Sequence, residues 1–333
     1  MISASRRKSG GMSIIELMIA MAIGMFLIAG AISLFVVSKR TYSEAERTAR
    51  MGENARFALQ TLSADLRLGG FFGEVPAADL KGRTGLAAVT GDCTGRGAAY
   101  GYNNYLFVAR TNIGGNAIGC IVDAVPNTDV VIIKSVRPFP LSDGVRDDPG
   151  DDDGTIDMPG VLDGQKTYVM ANPITGRIFD GAGTVPSIGE GGAVPRGNAW
   201  EYRFQAYYIR AGDVPQLSRK VLSWDGAGMA ITTEDVVEGV ENLRVMIGED
   251  RDRDGETDRY LDSTDTSIDW SRVTSMKVFL LVRSADRDVG YTDQRTYTLG
   301  NTTLAAPNDN FHRIVVQSDV SLRNSKLLVR GTK

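Results

Sequence analysis

The chain has 333 residues, of which 42% are hydrophobic and 23% are charged, a composition typical of folded proteins and not of disordered chains. Its formal net charge is −4, so the overall charge does not support a protein that binds nucleic acid through a basic surface. The length suits one large domain or two modest domains behind an N-terminal segment.

The N-terminal segment is apolar and contains a single charge. Between Met12 and Val37 the only charged residue is Glu16. A carboxylate costs roughly 2.5–3.5 kcal/mol at the centre of a membrane-spanning helix, and such residues are usually functional. We therefore expect Glu16 to meet a cationic partner.

The residues around Glu16 resemble the class III signal of type IV prepilins and pseudopilins. Three basic residues, at positions 6–8, precede Gly10 and Gly11, and the uncharged run begins at Met12. The resemblance implies that a prepilin peptidase cleaves between Gly11 and Met12 and N-methylates Met12. It also implies that Glu16 faces the terminal amine of a neighbouring subunit. Phe is usual at the first mature position, where this chain has the apolar Met12 of similar reach.

Two other kinds of N-terminal segment share features with this one. A secretory signal has an uncharged region of about 7–15 residues before small residues, which Ala29–Gly30–Ala31 could imitate, but Glu16 and the apolar run to Val37 argue against it. An ordinary signal anchor also fits, because the 21 residues from Leu17 to Val37 form a helix of about 31 Å, against a hydrocarbon core of roughly 30 Å.

The orientation of this segment depends on the resemblance. Basic residues flank both ends, at positions 6–8 and at Lys39 and Arg40, so the positive-inside bias is slight. The prepilin resemblance implies a single-pass inner-membrane protein with everything after Val37 in the periplasm, and later a place in a filament at the cell surface. Removal of residues 1–11 changes the net charge from −4 to −7.

The helix is predicted to continue beyond the membrane. Residues 42–68 contain no Pro, and Ala55, Leu59, Leu62 and Leu66 form one apolar stripe with charged residues on the other faces. Gly69 and Gly70 supply a stop signal. We therefore predict a cleaved leader over 1–11, a transmembrane half-helix over 12–37, an amphipathic half-helix over 38–68, and a periplasmic or extracellular head over 70–333.

The head is predicted to be rich in β-structure. Short β-like runs are separated by Gly, Asp, Asn and Pro. The predicted strands are Asp129–Arg137, Tyr202–Ile209, Leu217–Trp224, Leu243–Ile247, Ser275–Arg283, Arg295–Leu299 and Arg313–Leu322. A helix followed by strands without βαβ alternation indicates an α+β fold with an antiparallel sheet, and the long two-part helix resembles the pilin plan.

The last hundred residues resemble the C-terminal region of PilW-type minor pilins. The similar segments are Val240–Val245, the acidic loop after Gly248, Val278–Ser284 and Val320–Asn324. The resemblance implies a non-enzymatic subunit that primes the pilus, sits near its tip and contacts other minor pilins, major pilins and the inner-membrane assembly machinery. Two alternatives stay open: a minor pseudopilin of a type II secretion system, and a membrane-anchored exported enzyme or ligand-binding module.

The chain has two cysteines, Cys93 and Cys120, both in the part predicted to be exported. An even pair in an oxidising compartment favours a disulfide, and two reduced thiols are the alternative. Their spacing, and the distance in sequence to the single histidine His312, argue against metal binding.

An acidic segment at 250–258 is the candidate metal site. Aspartates stand at relative positions 1, 3, 5 and 9, with Gly at position 6, in the pattern of a Ca²⁺ loop whose position 7 donates a backbone carbonyl. Position 12, where a bidentate Glu is usual, is Leu261. The next residue, Asp262, could replace that Glu. The predicted ligands are Asp250, Asp252, Asp254, Glu256, Asp258 and Asp262. The alternative is a solvated turn whose carboxylates pair with Arg251, Arg253 and Arg259.

A second acidic segment, residues 147–157, has a weaker match to the same pattern, because Pro149 stands where the first Asp should be. A charged surface loop is the favoured interpretation there. We find none of the common hydrolase, phosphate-loop or zinc-protease motifs, and His312 is predicted to be structural.

Overall fold

Helix α1 spans Ile14–Leu68, 55 residues, in a computed structural model that describes residues 11–83, 86–141 and 162–324. The chain divides into two compact units, residues 1–50 and residues 51–333. The helix ends where Gly70 adopts a φ of +77°. A Cβ atom at Gly70 would lie 2.7 Å from the ring of Tyr105, so both the backbone conformation and the close approach require glycine.

In the first unit the apolar side chains of α1 are exposed. Phe26 is 82% exposed, and Met18 and Leu34 are similarly open. Among the described residues, α1 is the one helix whose length and composition would allow it to cross a membrane. These side chains therefore need an apolar environment that the described chain does not itself supply.

In the second unit the apolar stripe of α1 is buried. Met51, Ala55, Ala58, Leu62 and Leu66 are at most 5% exposed, while the predicted Leu59 is partly buried against the same core. Full burial of a Leu side chain contributes roughly 1.5–3 kcal/mol. The predicted stripe thus becomes the contact between this end of the helix and the strands of the head.

The described residues of the head contain fourteen strands. Their bounds are β1 Leu80–Arg83, β2 Leu106–Arg110, β3 Asp129–Val136, β4 Thr167–Ala171, β5 Gly176–Asp180, β6 Asn198–Arg210, β7 Gln216–Trp224, β8 Met229–Glu238, β9 Val240–Glu249, β10 Arg259–Asp262, β11 Val273–Arg283, β12 Tyr297–Leu299, β13 Thr302–Leu304 and β14 Arg313–Ser321.

The strands form two main sheets and a small hairpin. The first sheet has the order β1-β5-β4-β6-β3-β2, with β7 paired to the later half of β6 and β8 paired to β7. The second sheet has the order β10-β9-β11-β14, and β12 pairs with β13. Among the strands that the structure describes, every pair is antiparallel except β1 with β5. The predicted α+β fold, with a long N-terminal helix and a mainly antiparallel head, is confirmed.

One core lies between the helix and both sheets. It joins the buried stripe of α1 to apolar residues of β9, β11 and β14, and also to one face of β2, β3 and β6. The other face of the first sheet carries a second core, which includes Phe72, Cys93 and Ile121. Strands such as β3 are consequently buried on both faces, which explains the continuous apolar run at residues 130–133.

The predicted strands are all present, although Arg295–Leu299 is shortened to β12. Arg295 lies before the strand, and its side-chain Nε donates a hydrogen bond to Asp293 at 3.1 Å. The strands that the sequence pattern did not indicate are β1, β2, β4, β5, β8, β10 and β13.

Candidate functional site

The first turn of α1 carries the predicted assembly residue. Gly11 and Met12 precede the helix, and the backbone N–H of Leu17 donates to the carbonyl oxygen of Ser13 at 3.0 Å. Glu16 lies in this first turn, where the positive end of the helix dipole favours a carboxylate by roughly 0.3–1 kcal/mol. Residues 1–10 lie outside the described residues, so cleavage after Gly11 and methylation of Met12 stay predictions.

Glu16 has no polar partner in the described part of the chain. Its side chain is exposed among apolar neighbours and forms no hydrogen bond or ion pair with a described residue. A carboxylate in such a place is chemically suited to pair with a cation from another molecule.

Farther along the same helix, Asp65 is buried and has internal partners. It accepts a hydrogen bond from the Tyr207 hydroxyl and forms ion pairs with Arg203 Nη1 at 3.4 Å and Arg219 Nη1 at 3.7 Å. Burial, together with the adjacent carboxylate of Asp65, raises the pKa of Tyr207, so its hydroxyl stays a donor at neutral pH. These contacts fix this end of the helix against β6 and β7.

A second buried carboxylate, Asp129, joins the two sheets. It accepts hydrogen bonds from Arg110 Nε at 2.9 Å, Ser263 Oγ at 2.8 Å and the backbone N–H of Val245 at 2.8 Å. Arg110 on β2 also donates through Nη2 to Asp262 at 3.0 Å. Burial opposes ionisation of Asp262, but hydrogen bonds from Thr264 and Arg110 outweigh it and lower the pKa of Asp262 to about 2.

A third network fixes the start of β14. The Arg313 side chain is 1% exposed and forms ion pairs with Glu241 at 2.5 Å, Asp293 at 3.2 Å and Asp309 at 2.6 Å. Tyr297 also donates to Asp293 at 2.6 Å. Sequence reasoning missed all three networks, because each joins residues far apart in the chain and no local spacing marks them.

Cys93 and Cys120 form a disulfide, as predicted. The bridge closes a segment that packs on the outer face of the first sheet. In the chain-entropy model, closure of a loop of this length stabilises the head by about 3–4 kcal/mol.

The acidic segment forms the loop between β9 and β10. Carboxylate oxygens of Asp250, Asp252 and Asp254 lie within 4.8 Å of one another. Asp250 is fully buried and accepts from the backbone N–H groups of Arg253 at 2.6 Å and Gly255 at 2.8 Å. Both donor residues have positive φ. This turn brings together three hard oxygen donors, the ligand type that Ca²⁺ prefers.

The other predicted ligands are placed differently. Asp258 accepts the backbone N–H of Arg251 at 2.5 Å, and the backbone N–H of Glu256 donates to Asp254 at 2.7 Å. The prediction that Asp262 is a calcium ligand is wrong. Asp262 lies at the end of β10, where Arg110 and Thr264 occupy its oxygens, so it does not take the place of the bidentate twelfth ligand.

The arginines of this loop do not neutralise the aspartate cluster. Arg259 pairs with Glu249 at 2.6 Å. Across the described ranges, no ion pair joins Arg251 or Arg253 to the three clustered carboxylates. Three carboxylates this close repel one another unless a cation or proton intervenes.

The two remaining candidates are the second acidic segment and His312. Residues 147–157, the second acidic segment, lie outside the described residues. His312 Nε2 lies 3.0 Å from Asp288 Oδ2, and its ring stacks on Tyr291 with centroids 3.9 Å apart. These contacts agree with a structural role for His312.

Comparisons with known proteins bear on both ends of the chain. Residues 206–324 match the family described as Type IV Pilus-assembly protein W (PilW), and residues 6–32 match the prokaryotic N-terminal methylation motif. No curated protein matches the chain.

Among solved structures, a type IV-like pilin from Thermus thermophilus is 13% identical and covers 83% of this chain and 98% of its own, with a TM-score of 0.36. A TM-score of that size carries no argument by itself. The fold assignment therefore rests on the helix and sheets described above.

Proposed function

We propose that this protein is a PilW-type type IV minor pilin that primes pilus assembly and stays near the pilus tip, because its chain combines a match to the PilW family with an N-terminal methylation motif. Its part is structural and not catalytic. The contrast within helix α1 carries the proposal: Asp65 is satisfied inside the head, whereas Glu16 and the exposed apolar side chains around it have no described partner.

The mechanism follows from that contrast. The apolar part of α1 is inserted in the inner membrane, and a prepilin peptidase removes the leader after Gly11 and methylates Met12. Glu16 then pairs with the terminal amine of a neighbouring subunit, which sets the axial register of the two helices. Apolar side chains such as Phe26 pass from lipid into contact with neighbouring helices, while the head lies in the periplasm and contacts other minor pilins.

A minor pseudopilin of a type II secretion system is the nearest rival. It would use the same N-terminal segment, so Glu16 and Met12 do not distinguish the two. The match of residues 206–324 to a pilus-assembly family favours the pilus. The same match argues against an anchored enzyme or ligand-binding module.

The acidic loop favours a second, subsidiary role, the binding of Ca²⁺. The convergence of oxygens from Asp250, Asp252 and Asp254, without a neutralising arginine, supports this proposal. Glu256 would add its backbone carbonyl oxygen, and Asp258 a further oxygen. With Asp262 held by Arg110, the ligand set lacks a bidentate carboxylate at position 12, and weak binding in the range of about 10⁻⁴–10⁻³ M is expected.

Deletion of the gene tests the proposed function against its rival. Cells without the protein should make fewer surface pili, and secretion through a type II system should be unchanged. Expression of the parent chain should restore the pilus number. Normal piliation with defective secretion would identify a pseudopilin, and an effect on neither process would contradict both assignments.

A further inference from the structure

The second sheet ends in strand β14, whose outer edge has backbone groups without a hydrogen-bond partner among the described residues. The backbone N–H of Leu322 donates to the carbonyl oxygen of Thr274 at 2.8 Å, and Ser318 lies opposite Val278 in the same register. Because backbone groups alternate in direction along a strand, the even-numbered residues of β14 face β11. The N–H and C=O groups of Val315, Gln317 and Asp319 consequently face away from the sheet.

Of the usual protections this edge has one charged side chain, the exposed Asp319, which lies opposite Lys277 of β11. β14 has nine residues, contains no Pro, and pairs with β11 without a register shift. The opposite edge of the same sheet, β10, has only four residues. Natural proteins usually cover, shorten, kink or charge a long edge strand, because it offers a template for another strand. A nine-residue edge without a bulge, whose start is fixed by Arg313, is suited to receive another strand.

A groove of about 770 Å³ runs between this strand and α1. Its apolar lining comes from Leu59 on the helix and Val316 on the strand, and Ser63 Oγ approaches Ser318 Oγ at 3.4 Å. All of these residues belong to the same compact unit.

The groove is positively charged. Arg56 and Arg67 are exposed on its helical side, and the described residues that line it include no carboxylate. Neither arginine forms an ion pair with any residue in the described part of the chain. The groove therefore combines free backbone donors and acceptors, an apolar floor and two unpaired cations.

We propose that the β14 edge and this groove dock an extended, acidic segment of another pilus subunit, which adds a fifth strand to the second sheet. The proposal rests on the proposed function, because it assigns a contact of the head within the assembly. Strand addition supplies affinity through backbone hydrogen bonds, and alternate side chains supply specificity. Here an apolar side chain would contact Leu59 and Val316, and carboxylates would pair with Arg56 and Arg67.

Charge excludes the two occupants that the chain itself could offer. Its last nine residues include Lys326, Arg330 and Lys333 and no acidic residue, so they would be repelled by the groove. A second copy paired through the same edge would bring a second Arg56 and a second Arg67 to the contact. An acidic segment of a partner would be attracted by Arg56 and Arg67 and not repelled by them.

The experiment uses the full chain in piliated cells, with a photo-crosslinking residue in place of Val315 on the exposed face of β14. The cross-linked peptide is identified by mass spectrometry. Gln317→Pro removes one outward N–H without breaking the bonds to β11, and Gln317→Ala keeps that N–H and serves as the matched control. The same crosslinker in place of Val289, which is 96% exposed, gives the background.

We expect one acidic peptide from another pilus subunit. Its yield should fall about fivefold with Gln317→Pro, the effect of one lost backbone hydrogen bond, and stay near the parent value with Gln317→Ala. Arg56→Glu with Arg67→Glu should lower the yield, and Arg56→Lys with Arg67→Lys should largely preserve it.

A cross-link to residues 325–333, a cross-link to a second copy, a yield equal to that at Val289, or equal effects of Gln317→Pro and Gln317→Ala would each overturn the proposal. The pilus count in the same cells separates it from the proposed function. Normal assembly with no cross-link would reject only the docking surface.

Discussion

Glu16 and Asp65 are carboxylates on one helix in two regions of the molecule. Asp65 accepts from Tyr207 and pairs with Arg203 and Arg219 inside the head. Glu16 lies among exposed apolar side chains and has no partner in the described residues. An acidic residue paired within its own chain stabilises the fold, whereas one left unpaired in an apolar segment indicates a contact with another molecule.

Replacement of Glu16 should have the largest effect. Glu16→Ala removes the counter-charge for the neighbour's terminal amine, while membrane insertion should be unchanged or improved. Loss of one partner from a buried ion pair costs about 3–5 kcal/mol, so incorporation into filaments should fall at least tenfold.

Immunoblots of sheared pili measure the amount of this variant in filaments, and immunoblots of membranes measure the amount inserted in the membrane. Glu46→Ala is the control, because Glu46 forms an exposed pair with Arg50 that is worth at most about 1 kcal/mol. Equal incorporation of Glu16→Ala and the parent would remove the distinction between the two carboxylates.

The same contrast explains how far the sequence could predict the structure. The functional pattern at the N-terminus is local: a basic leader, Gly11, one charge and an apolar run are all visible in forty residues. The helix stripe and the strongly apolar strands, such as β3 and β11, are visible for the same reason.

Other elements depend on distant partners. β8 contains Glu234 and Asp235, which look like loop residues in the sequence. In the structure Arg219 of β7 pairs with Glu234 and Arg210 of β6 pairs with Asp235. The short strands β4 and β5 lie between Gly-rich segments and are stabilised by each other and by β6. Asp262 fitted a calcium pattern by spacing, but Arg110, 152 residues away, determines its place.

Asp262 should act as a link between the sheets and not as a calcium ligand. Its folded-state pKa is about 2, below the ordinary value of 3.8. A lowered pKa contributes stability that is present above pH 4 and is lost as the pH falls towards 2, about 2 kcal/mol in this case.

Asp262→Asn should therefore lower the unfolding free energy of a fragment that begins at Met51 by about that amount at pH 7, and by much less at pH 2. Chemical denaturation at both pH values measures the difference. Asp213→Asn, at an exposed position, should change neither value by more than about 0.5 kcal/mol. An equal loss at both pH values would show that ionisation of Asp262 is not what stabilises the contact.

Calcium should have the smallest effect. At a Ca²⁺ concentration of ten times Kd, binding to the folded state alone stabilises it by about 1.4 kcal/mol, and the melting temperature of the same fragment should rise. Mg²⁺ should do less, because it requires a tighter octahedral shell.

Asp252→Ala with Asp254→Ala should abolish the calcium response, and Asp262→Asn should retain it. Isothermal titration calorimetry measures both. An absence of binding by the parent, or a full response in the double variant, would contradict the calcium site. Loss of the response in Asp262→Asn would return that residue to the ligand set.

The central claim is that the N-terminal segment is a prepilin signal whose Glu16 serves an intermolecular contact. Intact-mass spectrometry of the protein from membranes tests it directly, because the peptidase defines the first residue. The account predicts a chain that begins at Met12 and carries one N-terminal methyl group. A chain that retains Met1, or one cut near Ala31, would contradict it.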